Sequence, residues 1–503
     1  MKTNIKQILL AVACVWSAGI SAQHVNTMYF LENTPMRHTI NPAFQPVSNG
    51  YFSLPVVGYT SLWIGNNSIS LADLVYVNPN NPSQTITALH PEADRSGLLN
   101  KLSGTTILHM DANINLLAFG HRVKENGYWT VGITERIDLA ANLPEGLFQF
   151  ALGGGMQDIE GGNNHIDLKG LNVGSSVYTE IALGYSHQIN ERWTVGGKLK
   201  VLLGSMYLGT DTKSLGIDAS IDEWQIKGET EVTMAAPVDF AAINRAQSIN
   251  DLREMGLSTI LGLNGDATGI ASYLPLLKPS GLGAAVDLGV TYKPLKFMQV
   301  TAAITDLGFI RWNNSARATL AMDTTFTGAG EFQYSDFVVD GQFSTDSLVN
   351  TVVSNALGVL QSAHMSMTDE RFNSLLNMKL NIGVDFNFLN NLIGVGVLSR
   401  TKIVNLKAQE ELTVGVAVRP FNWLNVAVSY SLIDNGHYSN IGAGLSIMPI
   451  DGLNLTIAAD YIPTVYTQGM PLPYHVKGVN AAIGLTFVWG TNHKKKKAAD
   501  ESI

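Results

Sequence analysis

The chain has 503 residues, of which 15% are charged, 48 are glycine and one is cysteine, and its formal net charge is -9. That balance argues against nucleic acid as a partner, because phosphate binding needs a basic surface. Beyond residue 22 no stretch has the ~18 consecutive apolar residues that a spanning helix needs, which excludes membrane helices.

Lys2 and Lys6 precede the apolar run Ile8 to Trp16, and small residues follow up to Ala22 and Gln23. This is the pattern of a signal peptide cleaved after Ala22, so the chain is expected to leave the cytoplasm. Cys14 as a lipoprotein attachment site is the minor alternative, since Ala11 stands where a larger aliphatic residue is usual. With cleavage after Ala22 no cysteine remains for a disulfide or for thiol chemistry. The segment 23–50 is irregular and contains Asn41-Pro42-Ala43-Phe44-Gln45-Pro46, whose prolines cannot donate to a sheet ladder.

From residue 51 apolar side chains recur at every second position, the period of a strand with one apolar and one polar face. The runs are 51–64, 108–120, 128–140, 176–188, 192–208, 283–293, 297–306, 377–388, 392–402, 411–419, 423–432, 439–448, 453–461 and 478–489. Most are ~9–12 residues long, which is enough to cross a bilayer as tilted strands. Their connections alternate long and short, as in an outer-membrane barrel with short periplasmic turns and long outside loops. An even count puts both chain ends on the short-turn side. Leu215 to Val232 alternates loosely and either extends a hairpin above the membrane or raises the count to sixteen.

In such a barrel the apolar phase faces lipid and the polar phase lines the lumen. The lumen-lining candidates include Asp111, Asn113, Arg136, Glu180, Lys198, Asp287, Lys379 and Asp385, with both signs present for pairing. Glu135 lies in the apolar phase between Ile133 and Ile137, so a bulge or strand end is expected there. Trp129, Trp193 and Trp423 each open a strand after a short turn, and Trp489 ends the last one, which predicts a periplasmic aromatic girdle. Helical apolar spacing occurs around 240–252 and 348–360, and short helices are expected near 92–102 and 369–376.

No catalytic constellation has specific spacing. His109, His121, His165 and His187 are scattered singly and read as isolated surface histidines. The acidic group Asp218, Asp222, Glu223, Glu229 and Glu231 lacks the fixed spacing of a calcium loop and reads as a solvated face. A protein that is not an enzyme, with no cofactor or metal, is expected.

Asn41-Pro42-Ala43-Phe44-Gln45-Pro46, Gly65-Asn66-Asn67-Ser68-Ile69-Ser70-Leu71, the run Ala285 to Pro294 and the run Ile304 to Trp312 resemble a Bacteroidota outer-membrane family of unassigned function. Asn41-Pro42-Ala43 also resembles the hatch signature of FadL-type transporters of long-chain fatty acids and aromatics, and of PorV- and PorP-type barrels of type IX secretion and gliding. The resemblance implies fourteen strands and an N-terminal lumen plug, with Asn41, Pro42, Ala43 and Phe44 as plug or gate. Asn41 would then bond lumen side chains.

The expected architecture is an all-β transmembrane antiparallel barrel of about fourteen strands, with an N-terminal lumen segment and short helices in long extracellular loops. Residues 1–22 are signal peptide, 23–50 plug, 51–490 barrel and 491–503 a polar periplasmic tail. The expected location is the outer membrane, in contact with its lipid and with both ends periplasmic. The leading function is binding or passage of a small hydrophobic molecule. The alternative is a non-transporting partner of a secretion or motility complex.

Overall fold

The computed structural model describes residues 25–490 apart from 153–163, 220–222, 241–277, 328–337, 340–341, 344–363, 405–406, 434–437 and 463–476 and positions 79, 89, 91, 103 and 451. The predicted signal peptide, the C-terminal tail and the expected loop helices around 240–252 and 348–360 therefore lie outside the described residues, except for Phe240.

Fourteen antiparallel strands close into a barrel. β1 comes in two pieces, Gly50–Ser53 and Thr60–Asn66. It is followed by β2 (Thr105–Val123), β3 (Gly127–Pro144), β4 (Asn172–Gln188), β5 (Trp193–Ala219), β6 (Gly281–Leu295), β7 (Met298–Trp312), β8 (Met378–Phe388), β9 (Ile393–Val404), β10 (Lys407–Phe421), β11 (Leu424–Ile433), β12 (Tyr438–Ile450), β13 (Leu453–Asp460) and β14 (Gly478–Trp489). β1 pairs with both β2 and β14, which closes the wall and leaves no edge strand in it.

The two faces are the reverse of a soluble protein's. On β10, Leu412, Val414, Val416 and Val418 are 40–44% exposed on the outside, while Thr413 and Ala417 are buried within. The same holds for Leu183, Leu199, Val201 and Ile382 outside against Glu180, Lys198, Lys200 and Asn381 inside. An apolar outer wall around a polar interior is what a bilayer stabilises.

Three departures from simple alternation have local causes. β1 breaks at residues 54–59 because Pro55 has no N–H to give and Val56 sits at φ 65°. The break stays tied to both neighbours through Val56 N to Asn115 O at 2.8 Å and Leu485 N to Val57 O at 2.8 Å. Near Glu135 the register does shift, but the extra residue is Leu116 on the facing strand β2. Glu135 itself stays in β3, accepting a 2.7 Å hydrogen bond from the Thr179 hydroxyl. β7 runs past its predicted end at residue 306 because a bulge there lets the strand change phase.

Beyond the long-loop end β5 continues upward and pairs with Glu223–Ala235, which pairs with Ser315–Thr327, and Ser315–Thr327 pairs in turn with His364–Asp369. The loose alternation of Leu215 to Val232 is thus an extended hairpin, and the wall count stays at fourteen. A helix, Arg95–Lys101, forms within the predicted 92–102 window, its first turn capped by the Asp94 carboxylate on Gly97 N–H at 2.9 Å. The helix expected near 369–376 is instead a strand, Phe372–Leu375, paired with the end of β7. Its alternate residue Phe372 packs on Tyr207 and Trp312, with ring centroids 4.8 and 6.2 Å away.

Candidate functional site

The segment before β1 folds inside the short-turn half of the barrel as two short 3-10 helices, Asn26–Phe30 and Pro35–Thr39. Its apolar residues Val25, Met28, Tyr29, Phe30, Leu31, Met36, Ile40 and Phe44 form one buried cluster with Ala118, Leu398, Ala417, Ala427, Ala458 and Ala482 of the wall. The plug can approach the wall this closely because the wall presents small residues there. Gly396 of β9 and Gly415 of β10 lie directly opposite each other, and the Phe30 ring covers both. A second opposed pair, Gly196 of β5 and Gly289 of β6, receives Asn41-Pro42-Ala43. A Cβ on Gly289 would lie 2.0 Å from Asn41 Oδ1, and one on Gly196 would lie 2.3 Å from the Pro42 carbonyl oxygen.

That second seat corrects the expected role of Asn41. With no Cβ in the way it reaches the wall's backbone instead of lumen side chains, donating from Nδ2 to the carbonyls of Val290 and Ala302 at 3.3 Å each. Its Oδ1 accepts from Ala43 N–H at 2.9 Å, which fixes the turn around Pro42. Pro46 is held by Arg122, whose Nη2 donates to its carbonyl at 2.6 Å. Phe44 is buried under the Arg37 guanidinium, 4.2 Å from the ring centroid.

Polar side chains of the wall complete the hold. Asp460 accepts from the N–H groups of Asn26 and Thr27 at 2.7 and 3.3 Å and from the Thr27 hydroxyl. Thr27 Oγ1 also lies 2.7 Å from Ser429 Oγ. Tyr29 donates its hydroxyl to Asp385 Oδ2 at 2.6 Å, so Asp385, half-buried, anchors the plug.

At the short-turn rim Glu32 pairs with Arg419 at 3.2 Å and accepts from Asn391 Nδ2 at 3.1 Å. Burial opposes its ionisation, but Arg419 and Arg37 outweigh that and hold its carboxyl below the usual range. A depressed folded-state value stabilises the seated plug above the ordinary carboxylate range, and that contribution is lost as pH falls through the lowered value. Residues 25–49 are therefore expected to become protease-sensitive on acidification, and Glu32→Gln should flatten that part of the pH response. A pH profile unchanged by the substitution would count against it.

Above the plug, toward the long-loop end, the interior is ionic. Asp306 accepts from Lys200 at 2.6 Å, Arg136 at 2.9 Å and Lys379 at 3.1 Å, which come from β5, β3 and β8. Lys200 also pairs with Asp287 at 2.8 Å, and Arg136 lies 3.4 Å from Glu180. Lys198 is buried beside Gly184. Asn113 is buried and lies 3.4 Å from Ser61 Oγ.

A second cluster crosses the lumen: Lys402 of β9 donates to Asp111 of β2 at 2.8 Å and lies 3.1 Å from His109 Nε2. Asp138, opposite Asp111 in register, accepts from Asn377 at 3.2 Å. His109 is thus buried, not an isolated surface histidine. His109, Asp111 and Asp138 bring three metal-ligating atoms within 4.8 Å of one another, but the Lys402 ammonium already stands against two of them. On the outside, Asp218 bonds His165 at 2.7 Å, and Glu229 and Glu231 pair with Lys213; Asp222 lies outside the described residues.

Trp193, Trp423 and Trp489 are 39–42% exposed on the outer wall near the short turns. Trp193 stacks on Tyr292 at 4.3 Å and Trp423 on Phe421 at 5.1 Å, while Phe119 bridges Trp129 and Trp489 at 5.2 and 5.7 Å. Sequence reasoning missed Asp306, Lys402 and the plug residues Thr27, Tyr29 and Phe30. The signal for Asp306 was present: Thr305 and Asp306 are adjacent polar residues, after which the apolar phase resumes at Leu307 and Phe309 on the other parity.

A family described as "Family of unknown function (DUF5723)" matches residues 42–460. The chain belongs to this family. The matched region of this DUF5723 member starts within the Asn41-Pro42-Ala43 turn and runs to the end of β13. No curated protein matches it. Solved structures similar to it include the Ralstonia pickettii toluene transporter TbuX, at 8% identity and TM-score 0.40 over 94% of this chain and 95% of that one. A Pseudomonas aeruginosa FadL homologue is similar at 9% identity and TM-score 0.40 over 94% and 100%. The Pseudomonas putida toluene transporter TodX is similar at 10% identity and TM-score 0.36 over 93% and 94%.

Proposed function

We propose that this protein is an outer-membrane barrel that binds or passes a small hydrophobic molecule, with residues 25–49 as its gate and the short-turn end facing the periplasm. The supporting observation is the glycine- and alanine-lined trough on β9 to β14, which the plug fills with Met28, Phe30 and Leu31. Those side chains occupy an apolar surface below the ionic layer of the lumen. When the plug withdraws, the trough is what an apolar solute can wet instead of water. The ionic layer above has its carboxylates bonded within it, so passage needs no counter-ion and no covalent chemistry.

The test is a reversible lock. The Thr27 and Ser429 hydroxyl oxygens are 2.7 Å apart, so sulfur atoms in their place in Thr27→Cys/Ser429→Cys are positioned to bond. Oxidation is expected to stop uptake of a small aromatic hydrocarbon into vesicles carrying the barrel, and reduction to restore it. Uptake indifferent to the lock would sink the gating reading; no uptake by the reduced form would sink the hydrophobic-solute reading.

A further inference from the structure

The short-turn end carries a cavity of about 910 Å³ between the plug and the turns of β4 to β9. Its inner wall is polar and belongs to the lumen phase, with Thr194, Thr291, Gln299 and Asn387. Its outer lip belongs to the lipid-facing side, with Phe297, Phe388 and Leu389 exposed by 45%, 47% and 69%. The cavity therefore runs over the rim, continuous with the apolar outer wall. The lip is built by three successive left-handed residues, Leu389, Asn390 and Asn391, at φ 51°, 53° and 71°.

Four charged groups face this cavity: Glu32, Arg37, Lys293 and Lys296. Glu32 is neutralised by Arg419. Among the described residues Arg37, Lys293 and Lys296 form no ion pair, and Arg37 Nε has no hydrogen-bond partner. Three cations line the cleft against one carboxylate, Glu32, which is already paired with Arg419, so the cleft carries a net positive charge and forms an anion site, and the apolar lip decides which kind of anion.

We propose that this cleft binds the phosphate headgroup of an anionic phospholipid of the facing leaflet, with its acyl chains lying down the outer wall past Phe297 and Phe388. The proposal rests on the transmembrane, headgroup-level placement of the short turns, not on the gate. A basic pocket at the edge of a membrane protein recognises lipid through charge at the phosphate and apolar contact at the chains. A soluble anion would use Lys293, Lys296 and Arg37 but would leave the apolar lip bare.

The purified full-length barrel would be equilibrated with vesicles containing equal parts phosphatidylglycerol and phosphatidylcholine, and retained lipid read by native mass spectrometry. Phosphatidylglycerol should be retained preferentially, and Lys293→Gln/Lys296→Gln should reduce that preference about tenfold. Lys124→Gln, in another short turn, should leave it unchanged. Equal retention of the two lipids, or a preference that survives the double substitution, overturns the proposal. Glycerol phosphate that displaces the lipid at equal concentration also overturns it, by assigning the cleft to a soluble anion. Retained preference with no solute uptake would leave this site standing while the passage reading fell.

Discussion

Replacing Asp306 by asparagine is expected to destabilise the barrel by ~3–5 kcal/mol, the usual cost of removing one partner from a buried ionic group. Asn keeps the size of the side chain and tolerates the left-handed backbone that position 306 adopts at φ 60°. The change therefore isolates charge. Arg136 and Lys200 would be left sharing Glu180 and Asp287, and Lys379 would lose the one ion pair it makes among the described residues. The readout is the urea concentration at which the SDS-resistant folded band converts to the heat-denatured one. Asp306→Ala should cost a further ~1 kcal/mol because alanine is strained at positive φ. An Asp306→Asn protein as stable as the parent would mean that the two remaining carboxylates suffice and that Asp306 is no hub.

Gly415→Val is expected to expel the plug while leaving the wall intact. A Cβ at that position would stand 2.3 Å from the Phe30 ring, and one on the facing Gly396 would stand 3.1 Å from the same ring. The ring has no room to retreat, since Phe30 is 4% exposed. Overpacking of this kind costs ~1–3 kcal/mol where neighbours can shift, but here it falls on a ring of the buried apolar cluster that joins plug to wall, next to the hydrogen bonds to Asp460, Asp385 and Ser429. Valine suits a strand, so β10 itself should not object. Residues 25–49 should become protease-sensitive and solute passage should rise, with heat modifiability unchanged. A variant whose plug stays protected would show that Phe30 is not what seats it.

The wall was legible in the sequence because a closed barrel in lipid needs the period-two pattern in every strand, and nothing in the tertiary structure overrides it. The interruptions were less so. Pro55 hinted at the break in β1, but where the strand resumes depends on bonds to Asn115 and Leu485, far away in the chain. Thr305-Asp306 marks a phase change, which period-two alternation alone does not distinguish from a strand end. In the 369–376 stretch Leu375 and Leu376 follow Phe372 at near-helical spacing, yet Phe372 packs on Tyr207 and Trp312 and the segment pairs with the end of β7. The interior partnerships were the least visible. Asp111 with Lys402 spans 291 residues and Thr27 with Asp460 spans 433, and only barrel closure makes such pairs neighbours.

β5 belongs to two structures at once. Over Trp193 to Gly209 it is laddered to β4 and, lower down, to β6, and above that to Glu223–Ala235, with the bulge between Val177 and Tyr178 on the β4 side. The 27-residue strand is about two and a half times as long as the ~9–11 residues a tilted bilayer crossing requires. No loop separates the part in the membrane from the part beyond it, so the two have no hinge between them. A load applied to the outer sheet travels down this strand as shear and arrives at Lys200, the residue that clasps both Asp287 and Asp306. The barrel is built like a mast stepped into its own keel, and whatever tugs at the projecting end loads the ladders to β4 and β6 and, through Lys200, the ionic layer inside them.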